Sequence, residues 1–132
     1  MKPQKKQIRA MIVDDEDHVR TLIKTVVRNM NCEIVGEANN GKDAVLMYYK
    51  LKPTMLLLDI NMPVKTGKQA LAEIRKKFSN TFIIMLTSLT DSETVEDCIK
   101  LGASGFIRKD LPIDEMRDVI KQTWSAYKLS RQ

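Results

Sequence analysis

The sequence predicts an α/β domain built on a doubly wound, parallel five-stranded sheet with helices on both faces. Three observations lead there. Five short apolar segments of strand length run through the chain. Each is followed by a stretch with helical periodicity. Two of the segments, residues 54–58 and 81–86, are apolar without polar alternation, as strands buried on both faces are.

Taken in order, residues 8–13 read as the first strand. Behind it, Val19, Leu22, Ile23, Val26, Val27 and Met30 recur in steps of three and one, which is one face of a helix. Residues 33–38 are the second strand. Asn40-Gly41 marks a turn, and Asn40 suits the cap of a helix carrying Ala44, Val45, Tyr48 and Leu51, which Pro53 stops. Residues 54–58 are the third strand. Thr66 and Gln69 have capping-box spacing ahead of a helix with Leu71, Ile74 and Phe78. Residues 81–86 are the fourth strand. Thr90 and Glu93 repeat the capping spacing before a helix with Val95, Cys98 and Ile99, and Gly102 suits the left-handed position past its end. Residues 105–108 are the fifth strand. Pro112 suits the first turn of the last helix, Asp114 and Glu115 favour its dipole, and Ile113, Met116, Val119, Ile120, Thr123, Trp124 and Tyr127 share one side.

Composition narrows the function classes. A chain of 132 residues fits one domain, and 43% hydrophobic with 30% charged residues excludes disordered and low-complexity classes. No apolar run nears the ~20 residues of a membrane span, and no apolar stretch follows the basic start as in a signal peptide. These features predict a cytoplasmic protein without membrane insertion. Cys32 and Cys98 stand far apart in no metal-ligand pattern, which predicts reduced thiols. Of the net charge of +5, the part carried by Lys2, Lys5, Lys6 and Arg9 is unopposed by any acid in the first nine residues, so the remainder is near neutral. Charge placed in that way predicts a solvated tail and no direct nucleic-acid binding.

In an open α/β sheet, ligands bind beyond the carboxyl ends of the strands. Asp14, Asp15 and Glu16 follow the first strand, Asp59 ends the third, Thr87-Ser88 ends the fourth, and Lys109 follows the fifth. Each signal is weak alone; together they converge on one edge. Carboxylates brought close repel one another unless a cation sits among them, and hard oxygen ligands with room for water suit Mg²⁺. Lys109 and the Thr87 hydroxyl are placed to hold the oxygens of a phosphoryl group. A carboxylate is already ionised at neutral pH, so it can attack phosphorus without a general base and form an aspartyl phosphate.

With these residues the sequence resembles the receiver domain of two-component response regulators, the CheY-like family. The likeness rests on Val13-Asp14-Asp15, on Leu58-Asp59-Ile60-Asn61-Met62-Pro63 with Gly67, on Thr87-Ser88, and on Gly105-Phe106-Ile107-Arg108-Lys109. It implies a (βα)5 flavodoxin-like fold with strand order 2-1-3-4-5, a basic tail over residues 1–7, a receiver domain over 8–128 and a short tail over 129–132. It implies Asp59 as phospho-acceptor, and Asp14, Asp15, Asp59 and the main-chain carbonyl of Asn61 as Mg²⁺ ligands. Thr87 and Lys109 complete the reacting set, and Thr87 and Phe106 form the switch that reshapes the face of the fourth helix, fifth strand and fifth helix. The implied protein is no enzyme beyond its own phosphorylation and dephosphorylation. A histidine kinase or phosphotransfer protein is the implied donor, and the output protein is unknown. The chain is expected as a monomer or a phosphorylation-dependent dimer.

Departures from the pattern carry expectations of their own. Asp110 stands where receivers commonly have a proline with a cis bond. Since a cis bond before a non-proline residue costs ~2.5–4 kcal/mol, a trans bond and an altered loop path are expected. Lys109-Asp110 resembles the subfamily usually joined to a DNA-binding helix-turn-helix domain, for which the residues after Lys128 are too few. This leaves a stand-alone regulator or a receiver fragment. Apolar Leu89, two places after Thr87, cannot orient an attacking water, so slow to moderate phosphate loss is expected, to be read as a changed decay rate in Leu89→Glu. His18 reads as a surface residue, Trp124 as core, and the methionines as packing. Among rivals, an Mg²⁺-dependent hydrolase of the haloacid dehalogenase type would want an acid where Asn61 stands. A flavin or nucleotide site would want a glycine-rich loop after the first strand.

Overall fold

The computed structural model describes residues 7–88 and 92–131. Its elements alternate without exception: β1 (Arg9–Val13), α1 (Asp17–Asn29), β2 (Glu33–Ala38), α2 (Gly41–Leu51), β3 (Met55–Asp59), α3 (Gly67–Lys77), β4 (Phe82–Thr87), α4 (Ser92–Lys100), β5 (Gly105–Arg108) and α5 (Ile113–Ser130). The strands form one parallel sheet in the order β2-β1-β3-β4-β5, as expected. β2 and β5 are its edges.

Side chains of consecutive strand residues leave opposite faces of a sheet, and here that alternation feeds two cores. Met11, Val13, Leu56, Leu58, Ile83 and Met85 face α2, α3 and α4, where Tyr48, Leu71, Ile74 and Cys98 meet them. Ala10, Ile12, Met55, Leu57, Phe82, Ile84 and Leu86 face α1 and α5, against Val19, Ile23, Val26, Val27, Met116 and Ile120. A fully buried aliphatic side chain contributes ~1.5–3 kcal/mol, so each core is held by many such terms. Cys32 and Cys98 lie in different cores and form no disulfide.

The helix punctuation follows the sequence closely. Asn40 accepts from Asp43 N–H at 2.9 Å. Thr66 and Gln69 form both halves of the capping box. Gly102 takes φ +97°, where only glycine is unstrained. Differences are local. β3 and β4 each start and end one residue later than expected, because the backbone ladder includes Asp59, paired with Leu86, and Thr87, paired with Arg108. Ile99 is 56% exposed, so the buried side of α4 is carried by Cys98 and Val95. Trp124 is half-buried at the rim of the second core, with its ring edge-on to Phe82 at 5.0 Å. His18 is exposed, as expected. The expected cap at Thr90, the position of Leu89 and most of the basic tail lie outside the described residues.

Candidate functional site

The connections out of β1 and β3 run to opposite faces of the sheet, which opens a crevice at their carboxyl ends. Val13 pairs with Leu58 across this seam, so Asp14 and Asp59 emerge side by side. Both are almost wholly buried, unlike most carboxylates. Asp15, next in the chain, is exposed. Oxygens of Asp14, Asp15 and Asp59 all lie within 4.8 Å of one another.

One cation serves this cluster among the described residues. Lys109 Nζ lies 2.8 Å from Asp14 Oδ2 and 2.9 Å from Asp59 Oδ1, with Glu16 more remote at 3.9 Å. Asp14 Oδ1 accepts from the Glu16 N–H at 2.9 Å, which tightens the loop into α1. Asp59 Oδ2 is buried without a hydrogen-bond partner. A buried, unpartnered carboxylate oxygen is costly in a protein interior. Burial raises the Asp59 pKa to about 7. The hydrogen bond from Lys109 opposes that rise and the neighbouring Asp14 charge adds to it. Burial works against the Lys109 charge too, but the bonds it donates to Asp14 and Asp59 outweigh it and hold its pKa above the ordinary value. Three clustered carboxylates, one orphaned oxygen and an all-oxygen donor set fit a small hard cation such as Mg²⁺.

The rest of the expected set is placed as follows. Thr87 is buried at the end of β4, and its hydroxyl donates to the Ile107 carbonyl at 3.3 Å, joining β4 to β5. Phe106, one residue earlier in β5, is half-buried against the first core. Asn61 is exposed in the loop after β3. No described peptide bond is cis, so Lys109 reaches the carboxylates through a trans link to Asp110. Arg108 and Asp110 bridge one another over that link, and the bond from Arg108 holds the Asp110 pKa below the usual carboxylate range.

Three features go beyond the sequence reading: the reach of Arg20, the packing reason for Gly67 and the turn at Val64. Arg20 of α1 donates to the Asp14 carbonyl at 2.8 Å and pairs with Asp17 and Glu37, clamping the acidic loop. Its only sequence trace is a cation one helical turn beyond an acidic run. Gly67 N–H donates to the Ile60 carbonyl at 2.8 Å. A Cβ at Gly67 would lie 1.8 Å from the Asp59 carbonyl oxygen, so α3 begins directly against the acidic strand end only because the residue is glycine. Val64 has φ 70°, and Lys65 N–H donates across it to the Pro63 carbonyl at 2.8 Å. That is a three-residue turn of the rare, strained hand, on a β-branched residue.

Comparison with known proteins identifies the family of this fold. Residues 10–121 match the family model described as "Response regulator receiver domain". A chemotaxis protein CheY of Listeria monocytogenes is 37% identical over 115 residues, covering 87% of this chain and 97% of its own. The CheY of Thermotoga maritima is 39% identical over 101 residues, covering 76% and 84%. Among solved structures, the response regulator domain of Thermotoga maritima CheB superposes with a TM-score of 0.81 at 30% identity, over 93% of this chain and 98% of that one. The receiver domain of AraT from Geobacillus stearothermophilus superposes with a TM-score of 0.85 at 22% identity, over 96% and 100%, a likeness of fold.

Proposed function

From the premise that this chain belongs to the response-regulator receiver family of two-component signalling, we propose that it is a phosphorylation-controlled switch whose acceptor is Asp59. The observation that carries this reading is the state of the Asp59 carboxylate. One oxygen is paired with Lys109 and the other is buried and unpartnered, in a carboxylate cluster shared with Asp14 and Asp15. A histidine kinase or phosphotransfer protein donates the phosphoryl group, and Asp59 attacks phosphorus in line as the donor nitrogen leaves.

Asp14, Asp15, Asp59 and the Asn61 main-chain carbonyl would hold Mg²⁺. When bound, the metal supplies positive charge that offsets the carboxylates and the incoming phosphoryl oxygens. Lys109 stays paired to the modified site and takes one phosphoryl oxygen. Thr87 gives its hydroxyl to another, and to do so it must leave the Ile107 carbonyl. Losing that link loosens β4 from β5 beside Phe106, whose ring moves into the space Thr87 vacates. The face formed by α4, β5 and α5 then changes shape, and a partner that binds one shape better reads the signal. The output is binding, with no separate substrate turned over. The setting is the cytoplasm, and no described helix is long and apolar enough to cross a membrane.

The test is intact mass after incubation with Mg²⁺ and acetyl phosphate. A single phosphoryl adduct is expected, lost in Asp59→Asn and lost with EDTA. Absence of any adduct would overturn the switch, and steady phosphate release without an adduct would favour a hydrolase.

A further inference from the structure

We propose that the Arg108–Asp110 ion pair aims Lys109 into the acidic crevice, which makes Arg108 and Asp110 positioning residues for phosphoryl acceptance. The inference deepens the reading of Asp59 as acceptor and rests on it for its functional consequence. Lys109 sits in a turn from Arg108 to Leu111, closed by Leu111 N–H to the Arg108 carbonyl at a long 3.3 Å. Upstream its backbone is well anchored, with Lys109 N–H on the Thr87 carbonyl at 2.8 Å. Downstream the turn is held across its side chains. Arg108 Nε and Nη2 meet Asp110 Oδ1 and Oδ2 at 3.0 and 2.5 Å, a two-pronged match of planar groups. Such a fork fixes orientation as well as distance.

The bridge acts in two ways. It closes the turn a second time around Lys109, at a position where Asp110 has no ring to set φ. It also occupies the carboxylate nearest in sequence to the Lys109 ammonium, which would otherwise compete with Asp14 and Asp59 for it. The geometry divides the three side chains accordingly. Arg108 and Asp110 are about half exposed, at 49% and 51%, while Lys109 is only 19% exposed and lies between the two buried carboxylates. Exposed ion pairs add little to global stability, so the effect belongs to the site and not to the fold.

The test uses the full chain with Arg108→Ala, Asp110→Ala, the double variant, and the reversed pair Arg108→Asp with Asp110→Arg. The first readout is the ¹⁵N relaxation order parameter of the Lys109 ammonium in unphosphorylated protein. The second is the initial rate of adduct formation with acetyl phosphate and Mg²⁺. Each single variant is expected to lower the Lys109 order parameter and slow the reaction about 3- to 10-fold, as small misplacements of reacting groups do. The double variant should fall no further, the reversed pair should recover most of both losses, and Tm should stay nearly constant. Unchanged Lys109 order and rate, or losses that simply add in the double variant, would overturn the proposal. If the native chain forms no adduct at all, the acceptor reading fails, and the Lys109 order parameter alone still decides whether the bridge aims the lysine.

Discussion

At the residue scale, Asp59 carries a charge that its surroundings resist. Burial raises its pKa to about 7 even with an ammonium 2.9 Å away. In the unfolded chain the same carboxyl titrates near ~3.9. Between those two values the folded state holds the extra proton, so stability is greatest at low pH and falls as pH rises towards 7. The full shift corresponds to at most about 4 kcal/mol at 1.36 kcal/mol per unit. Asp59→Asn removes this penalty. Urea unfolding at pH 8 should therefore show the variant about 1–3 kcal/mol more stable than the native chain, and at pH 5 most of that gap should close. An equal gap at both pH values would refute the account.

At the element scale, the loop from β3 into α3 combines a strained residue with a close approach. Val64 holds φ 70° while 81% exposed, so its side chain gains almost nothing from packing in return for the strain. Val64→Gly relieves a cost of order 1–3 kcal/mol against a backbone-entropy loss of roughly 1 kcal/mol. Thermal unfolding should show a net gain of a few degrees in Tm, and a fall in Tm would mean that the loop is held by contacts of the valine itself. This loop marks the limit of what the sequence discloses. Residue types at strand ends reveal Asp14, Asp59 and Lys109, because parallel strands with helical crossovers bring their carboxyl ends to one edge whatever the loops do. Caps at Asn40 and Thr66 are equally legible, since a side chain three residues from its partner needs no tertiary information. The hand of a turn at Val64, the reach of Arg20 to the Asp14 carbonyl and the Arg108–Asp110 bridge depend on where the backbone goes, and no periodicity encodes that. Ile99 shows the same limit. Its apolar side chain fits a helical stripe in the sequence, but the stripe on α4 is narrower than the hydropathy suggests.

At the scale of the whole molecule, the site sits at the carboxyl ends of β1 and β3, inner strands that feed both cores, so an ion that binds there ties together strands on which both cores depend. A ligand that binds only the folded state adds RT ln(1 + [L]/Kd), or about 1.4 kcal/mol at ten times Kd. For a domain of this size that is a Tm rise of roughly 3–6 °C. Differential scanning calorimetry with and without Mg²⁺ should show such a rise in the native chain and little of it in Asp14→Ala, whereas equal rises in both would place the ion elsewhere. The two rims of the sheet bear on a different matter, behaviour in concentrated solution. A strand edge offers unpaired amides and carbonyls on which another chain can extend the ladder. Here β5 is only four residues long and ends in charged Arg108, and β2 carries Glu33 and Glu37 along its length. Edge-to-edge growth would have to desolvate those charges and to part Glu37 from Arg20 and Lys24. The apolar inner strands, which would aggregate readily if bared, are thereby fenced by short and charged neighbours, and the folded chain resists polymerising through its own sheet.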